Sequence, residues 1–287
     1  MHHSEHEILP RDLRFGLSDN PVRNWFAGDP IKTAMMNSMS IFLPEGERFF
    51  IRSLKHYAKK TDNAELISHI DGYARQEAFH TREHEDYNES LRRLGYDVNR
   101  MEAPIRQALR MKHKPVYDVA LTCAIEHMTA TLSIATLRNT KLLEGAEPAY
   151  RRLWMWHALE ELEHAGVALE VFEKATSKVS PWKRYLLRTA TMNATLIVFV
   201  VTFIRNMRLM LKADGESTGL SFWAKLFWVS FVSPGYTRLG FIHLARYYSP
   251  WFHPSSETID ALIVKGRAWL EEELAPDQSG ALPAPAE

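Results

Sequence analysis

Apolar residues recur three and four positions apart along most of the chain, while the strict alternation of a half-buried strand is scarce. The pattern predicts an all-α protein, with four long helices running from Glu45 to Lys60, Ala64 to Leu94, Ala103 to Leu143 and Glu147 to Ala175. Their ends are punctuated. Pro44 precedes the first, Thr61, Asp62 and Asn63 separate the first from the second, Gly95 ends the second, and Gly145 with Pro148 divides the third from the fourth. Four long helices with short connections make a bundle.

From Pro181 the pattern changes. Ala190 to Ile204 is almost uniformly apolar, Arg205, Arg208 and Lys212 follow, and 221–231 supplies Phe222, Trp223, Phe227, Trp228 and Phe231. The uninterrupted apolar core of the first stretch falls short of the ~20 residues that span a bilayer, so a transmembrane helix is not expected. Two readings stay open: a helix buried against the bundle, or a surface for peripheral membrane contact or homodimerisation. The resulting plan is an N-terminal extension (1–43), a four-helix bundle (44–178), an apolar helical annex packed on it (179–275) and a Pro-, Ala- and Gly-rich tail (276–287) expected to be disordered. Met1 to Glu7 holds three histidines but no periodic apolar face, and reads as a flexible tail rather than a metal site. No repeat of fixed period is visible.

Composition narrows the function classes. Lys plus Arg and Asp plus Glu number 35 each, so net charge provides no field for nucleic acid or an anionic membrane, and any partner must be read locally. The single cysteine, Cys123, excludes an intramolecular disulfide. With no basic-then-apolar leader at the N-terminus, a cytoplasmic location is the default, membrane-peripheral attachment through the annex staying open.

Candidate chemistry lies on the four long helices. Glu77 and His80 are three residues apart on one helical face, with His84 one turn later. Glu161 and His164 repeat the spacing, with His157 one turn before Glu161. Two Glu-x-x-His motifs on separate helices are the pattern of dimetal carboxylate bundles, which require one more inward-facing Glu from each remaining helix. Glu126 shares a face with Val119, Cys123, Ala130 and Ser133, and Glu47 with Phe50, Ile51 and Leu54. Either motif alone is common by chance. Together they put four carboxylates on apolar faces, where burial without cations costs several kcal/mol each. Oxygen and imidazole donors suit two iron ions, with manganese, a mixed manganese/iron pair or zinc as alternatives.

Other candidates have blander readings. Glu45 competes with Glu47, but beside Pro44 it reads as a carboxylate complementing a helix start. His84 is a further candidate ligand or a histidine satisfied at the bundle end. Glu160 and Glu163 read as outer-layer or surface residues, and His127 points about 100° away from Glu126. Tyr73, one turn before Glu77, and Trp156, beside His157, could pass electrons, although aromatic residues in such places usually pack. Cys123, one turn before Glu126, reads as a small buried hydrophobe.

The runs Phe-Leu-Pro-Glu-Gly-Glu-Arg-Phe-Phe (42–50), Arg-Gln-Glu-Ala-Phe-His (75–80), Ala-Ile-Glu-His (124–127), Trp-His-Ala-Leu-Glu-Glu-Leu-Glu-His (156–164) and Trp-Phe-His-Pro (251–254) resemble the bacterial family called predicted metal-dependent hydrolases. That family's name implies hydrolysis, and its ferritin-like character implies dioxygen chemistry. The His157, Glu161, His164 spacing is also similar to the fourth ligand helix of p-aminobenzoate N-oxygenase type di-iron enzymes, where an additional histidine joins the site. This second resemblance is confined to the ligand pattern. It implies Glu47, Glu77, His80, Glu126, His157, Glu161 and His164 as ligands. The expectation is a ferritin-like di-iron oxygenase or oxidase that takes dioxygen, an electron donor and a small apolar substrate. A metal-dependent ester or amide hydrolase is the enzymatic alternative, and an iron-storage bundle the non-enzymatic one.

Overall fold

The computed structural model describes residues 7–254 and 257–274. Among these the regular structure is helical, apart from one isolated antiparallel bridge between Phe26 and Ala146. The histidine-rich residues 2–6 and the tail from Pro276 lie outside the described residues.

Helix α1 (Pro30–Ala58) begins well before the expected Glu45, because Asp29 caps it by accepting from the N–H groups of Ile31 and Lys32. Pro44 therefore sits inside the helix rather than in front of it. A proline there cannot donate to the carbonyl four residues back, that of Ser40. Asn88 of α2 (Ala64–Arg93) fills the gap, its Nδ2 donating to the Ser40 carbonyl at 3.2 Å. The helix thus continues through Pro44 to Glu47, and residues 30–43 of the expected extension join the first bundle helix.

The expected third helix is two. Helix α3 (Val98–Leu109) ends before a polar run, and α4 (Pro115–Arg138) restarts on Pro115, which is suited to a first helical position and not to an interior one. A 3₁₀ turn, Thr140–Leu143, then replaces the last turn of the expected helix. The fourth is also divided: α5 (Pro148–Glu163) stops at His164, and α6 (Val167–Ala175) resumes after Gly166.

Helices α1, α2, α4 and α5 form the bundle, with α6 extending it against α4. Its core includes Trp25, stacked on Tyr150 at 4.5 Å between centroids and edge-on to Tyr87. Outside the bundle lie α7 (Pro181–Ala213), α8 (Leu220–Phe227) with a π-helical turn to Val232, α9 (Tyr236–Arg246) and α10 (Glu257–Leu274). Helix α7 crosses α1 and α4, burying Met192, Thr202, Asn206, Met207, Met210 and Leu211.

Helices α4 and α7 are long and apolar enough to cross a membrane by length and composition. The apolar window of α4 is 72 % buried, as in a core helix, whereas that of α7 is 33 % buried. Helix α7 has 33 residues, since it starts at Pro181, ahead of the uninterrupted apolar stretch, and runs on through Arg205, Arg208 and Lys212.

Replacing Asn88 by Ala should orphan the Ser40 carbonyl and cost about 1–3 kcal/mol in urea unfolding. In a Pro44→Ala background the restored amide can supply the missing donor. The same substitution should then cost measurably less.

Candidate metal centre

Each bundle helix aims carboxylate or imidazole groups at one point. Glu47 (α1), Glu77 and His80 (α2), Glu126 (α4), and His157, Glu161 and His164 (at and next to the end of α5) are all buried. Their separations are those of groups awaiting a shared partner. His164 Nε2 lies 3.2 Å from Glu77 Oε1 and 3.5 Å from Glu126 Oε2, and His157 Nε2 lies 3.3 Å from Glu161 Oε1. Four triads have potential donor atoms within 4.8 Å of one another: Glu47, His84 and His157; His80, His157 and Glu161; Glu47, Glu77 and His80; and Glu77, Glu161 and His164. Glu126 joins none of these triads but borders them through His164.

Protons cannot satisfy this cluster. Both oxygens of Glu47 and of Glu77, Glu126 Oε2, both ring nitrogens of His80 and His164 Nε2 are buried without a hydrogen-bond partner. Burial, and then the neighbouring carboxylates, raise Glu47 and Glu77 well above the usual carboxylate range. Glu126 is pushed up to about 8, mainly by burial and against the pull of His164. Burial also acts upward on Glu161, but the neighbouring His164, His157 and His80 outweigh it and hold Glu161 at about 2. Burial lowers His80 and His157 to about 3. Glu47, Glu77 and Glu126 are driven towards neutrality beside His80 and His157, which resist protonation, while His164 is raised because Glu126 and Glu161 outweigh its burial; four carboxylates facing so little positive charge form a donor set that fits metal ions.

Around the cluster, hydrogen bonds orient its members. Tyr73 Oη donates to Glu126 Oε1 at 2.7 Å, and the Thr129 hydroxyl donates to Glu161 Oε2. His164 Nδ1–H can donate to Gln76 Oε1 (3.1 Å), whose amide donates to Glu163 Oε2 (2.8 Å). A longer chain serves His157. Its Nδ1–H faces His84 Nε2 at 3.3 Å, His84 Nδ1–H faces Ser40 Oγ at 3.0 Å, and Ser40 Oγ–H donates to Asn88 Oδ1 at 3.0 Å. With protons in that order, the lone pairs of His157 Nε2 and His164 Nε2 both point at carboxylates. Such partners fix ring tautomer and direction in metal sites.

Glu45 stays apart. Its carboxylate accepts from Arg106 Nε at 3.1 Å in a polar groove. His127 also faces away, its Nε2 3.1 Å from the His243 carbonyl. Trp156 stands edge-on to His80 at 4.7 Å, and Cys123 is buried with its thiol raised well above the ordinary value by that burial. Glu160 and Glu163 are buried rather than superficial, for a reason sequence reasoning misses. The non-helical N-terminal segment lays Arg11 across them, with Nη1 3.1 Å from Glu160 Oε1 and Nη2 2.8 Å from Glu163 Oε1, and Arg267 of α10 adds a second cation to Glu163 at 2.7 Å. Glu160 Oε2 in turn lies 3.2 Å from His80 Nε2. Thr129 had a usable signal, three residues after Glu126 on the same helix. Arg11 had none, since its segment has no periodicity.

A family model described as "Predicted metal-dependent hydrolase" matches residues 9–258. The chain belongs to that family. No curated protein and no solved structure matches it. The span matched to the predicted metal-dependent hydrolases starts before Arg11 and takes in α1 to α9, so the Arg11 segment, the cluster and most of the annex fall within it. Metal dependence, which the family's description names, agrees with the donor set.

Replacing Arg11 by Ala leaves Glu160 without its cation and removes one of the two that Glu163 uses. Stability should fall by on the order of 2 kcal/mol in urea unfolding. Arg11→Lys, which cannot reach both carboxylates as a fork, should recover only part of it.

Proposed function

We propose that the chain is a two-metal enzyme that acts on a small apolar substrate. The observation carrying this reading is the convergence of four buried glutamates and three histidines from four helices, with too few cations nearby to neutralise them. Glu47, Glu77, His80, Glu126, His157, Glu161 and His164 would hold two metal ions, for which iron is the proposed identity, with manganese, a manganese/iron pair or zinc as substitutes. His84 orients His157, and Gln76 orients His164.

The substrate class follows from the approach to the cluster. A cavity of about 1020 Å³, walled by apolar side chains of α1, α4, α7, α8 and α9, reaches inward to Phe50, Gly46 and Thr129. Gly46 is the neighbour of Glu47, and the Thr129 hydroxyl is bonded to Glu161. The mostly apolar walls favour a hydrocarbon-like molecule, and Thr129 is the lining residue whose hydroxyl is bonded to the cluster.

Family membership supports hydrolysis of an ester or amide. Bound metals supply Lewis acidity and an activated water for that reaction. The polar end of the substrate would then enter towards Thr129, with its hydrocarbon part along the cavity. The donor set supports a second reading, oxidation of the substrate by dioxygen at a di-iron centre fed by an external electron donor. Two Glu-x-x-His motifs plus two glutamates are the arrangement of di-iron carboxylate bundles, and a dry apolar approach suits a hydrocarbon to be oxidised.

The parent protein, purified without chelator, should contain about two metal ions per chain. Glu126→Ala and Glu161→Ala should each lose metal and stability, and retention of both ions by both variants would sink the assignment. His157→Ala should weaken one ion selectively and leave the fold intact. To separate the reactions, the zinc- and iron-loaded forms are assayed without oxygen on a panel of lipid-like esters and amides, and the reduced iron form is mixed with oxygen. Anaerobic cleavage with either metal decides for hydrolysis. Oxygen uptake with a change in the iron spectrum, and no anaerobic turnover, decides for oxidation.

A further inference from the structure

The face of α7, α8 and α9 turned away from the bundle is apolar and open. On α7, Ile197 and Val201 are 66 % and 64 % exposed, and on α9 Ile242 is 77 % exposed. Trp228, just past α8, is 57 % exposed, and Trp182, Trp223 and Trp251 are exposed as well. Soluble surfaces seldom gather so many large apolar side chains in one region, and tryptophan is the side chain that settles where lipid headgroups meet hydrocarbon.

We propose that this face docks on an anionic lipid bilayer, lying in its surface without crossing it, and that the cavity takes its apolar substrate from there; the substrate clause rests on the function proposed above, and the docking does not. Charge selects this occupant. Between 181 and 252 the chain has nine Lys or Arg and only two acids, Asp214 and Glu216, although the whole chain is neutral. Arg208, Lys212, Lys225, Arg238 and Arg246 are exposed and make no ion pair among the described residues. The stripe on α7 runs from Ile197 and Val201 into Arg208 and Lys212 at helical spacing, an apolar face ending in cations. A second copy pressed on this face would bring the same excess of positive charge against itself. Anionic headgroups would neutralise it.

Packing rules out a simple crossing by α7. Its inner face is tied to the protein near both ends of the stretch that walls the cavity, with Arg188 Nη2 donating to the Ser249 carbonyl at 2.8 Å and Asn206 Nδ2 donating to the Met101 carbonyl at 3.3 Å. Only the outer face can meet lipid. The cavity opens there, since Val198, Val200, Phe227, Phe231 and Phe241 both line it and are exposed.

The test uses the full metal-loaded chain and vesicles of either phosphatidylglycerol or phosphatidylcholine. The parent should co-sediment with phosphatidylglycerol vesicles, release in high salt and bind phosphatidylcholine far less. Ile197→Glu/Val201→Glu and Trp228→Glu/Ile242→Glu, which alter no cavity-lining residue, should weaken binding by roughly tenfold or more while retaining helix content and metal. If a variant misfolds, the parent alone decides: bromine-labelled lipid should quench its tryptophan fluorescence. Failure of the parent to bind phosphatidylglycerol, equal binding by folded variants, or a stable solution dimer that the substitutions dissociate overturns the docking. Docking without turnover of any substrate leaves this proposal standing and removes the functional one.

Discussion

Four glutamate side chains sharing one dry space repel one another, and the surrounding architecture is arranged around that repulsion. Each carboxylate reaches the point from a different helix, so a cation placed between them would relieve the repulsion that closing the bundle creates. Arg11 and Arg267 are spent on Glu160 and Glu163 in the layer outside. The inner four are left to each other and to imidazoles, of which burial keeps His80 and His157 from taking protons. Metal ions fitted there would tie four helices together, and folding and cofactor binding would be one equilibrium.

A flaw in one helix is tied to the orientation of an imidazole two helices away. Pro44 removes a rung from α1, and the side chain that repairs it, Asn88, also accepts the proton of Ser40. Through Ser40 and His84 that acceptor sets the proton order that leaves the His157 Nε2 lone pair facing Glu161. An unbroken helix would have no need of Asn88 at that place. The backbone irregularity and the imidazole orientation are parts of one hydrogen-bonded chain.

The helical class and the faces holding Glu47, Glu77, His80, Glu126, Glu161 and His164 could be read from spacing alone, because three- and four-residue periodicity is a local property. Breaks were harder. Pro44 reads as a boundary when only its own backbone is considered, and the donor that keeps it inside the helix lies 44 positions along the sequence. The break at His164 leaves no mark in the pattern, since the apolar rhythm continues into Val167 and Leu169. Arg11 belongs to a segment whose order comes entirely from what it touches: Glu160, Glu163 and the carbonyl of Leu9. The open face of α7 was equally hidden, because an apolar stretch reads the same whether protein covers it or not.

The separation of charge has a mechanical meaning. A neutral molecule feels no net pull in a uniform field, yet one with its cations gathered on one flank and the balancing acids elsewhere behaves as a large electric dipole. Near a negatively charged sheet it experiences a torque before it experiences contact, within about a Debye length, which is ~8 Å at physiological ionic strength. Tumbling would be biased so that the tryptophan-bearing flank arrives first. In the docking proposed above, net neutrality would keep the protein from being held on anionic surfaces in arbitrary poses, while the dipole would favour the single pose in which the mouth of the cavity faces the lipid.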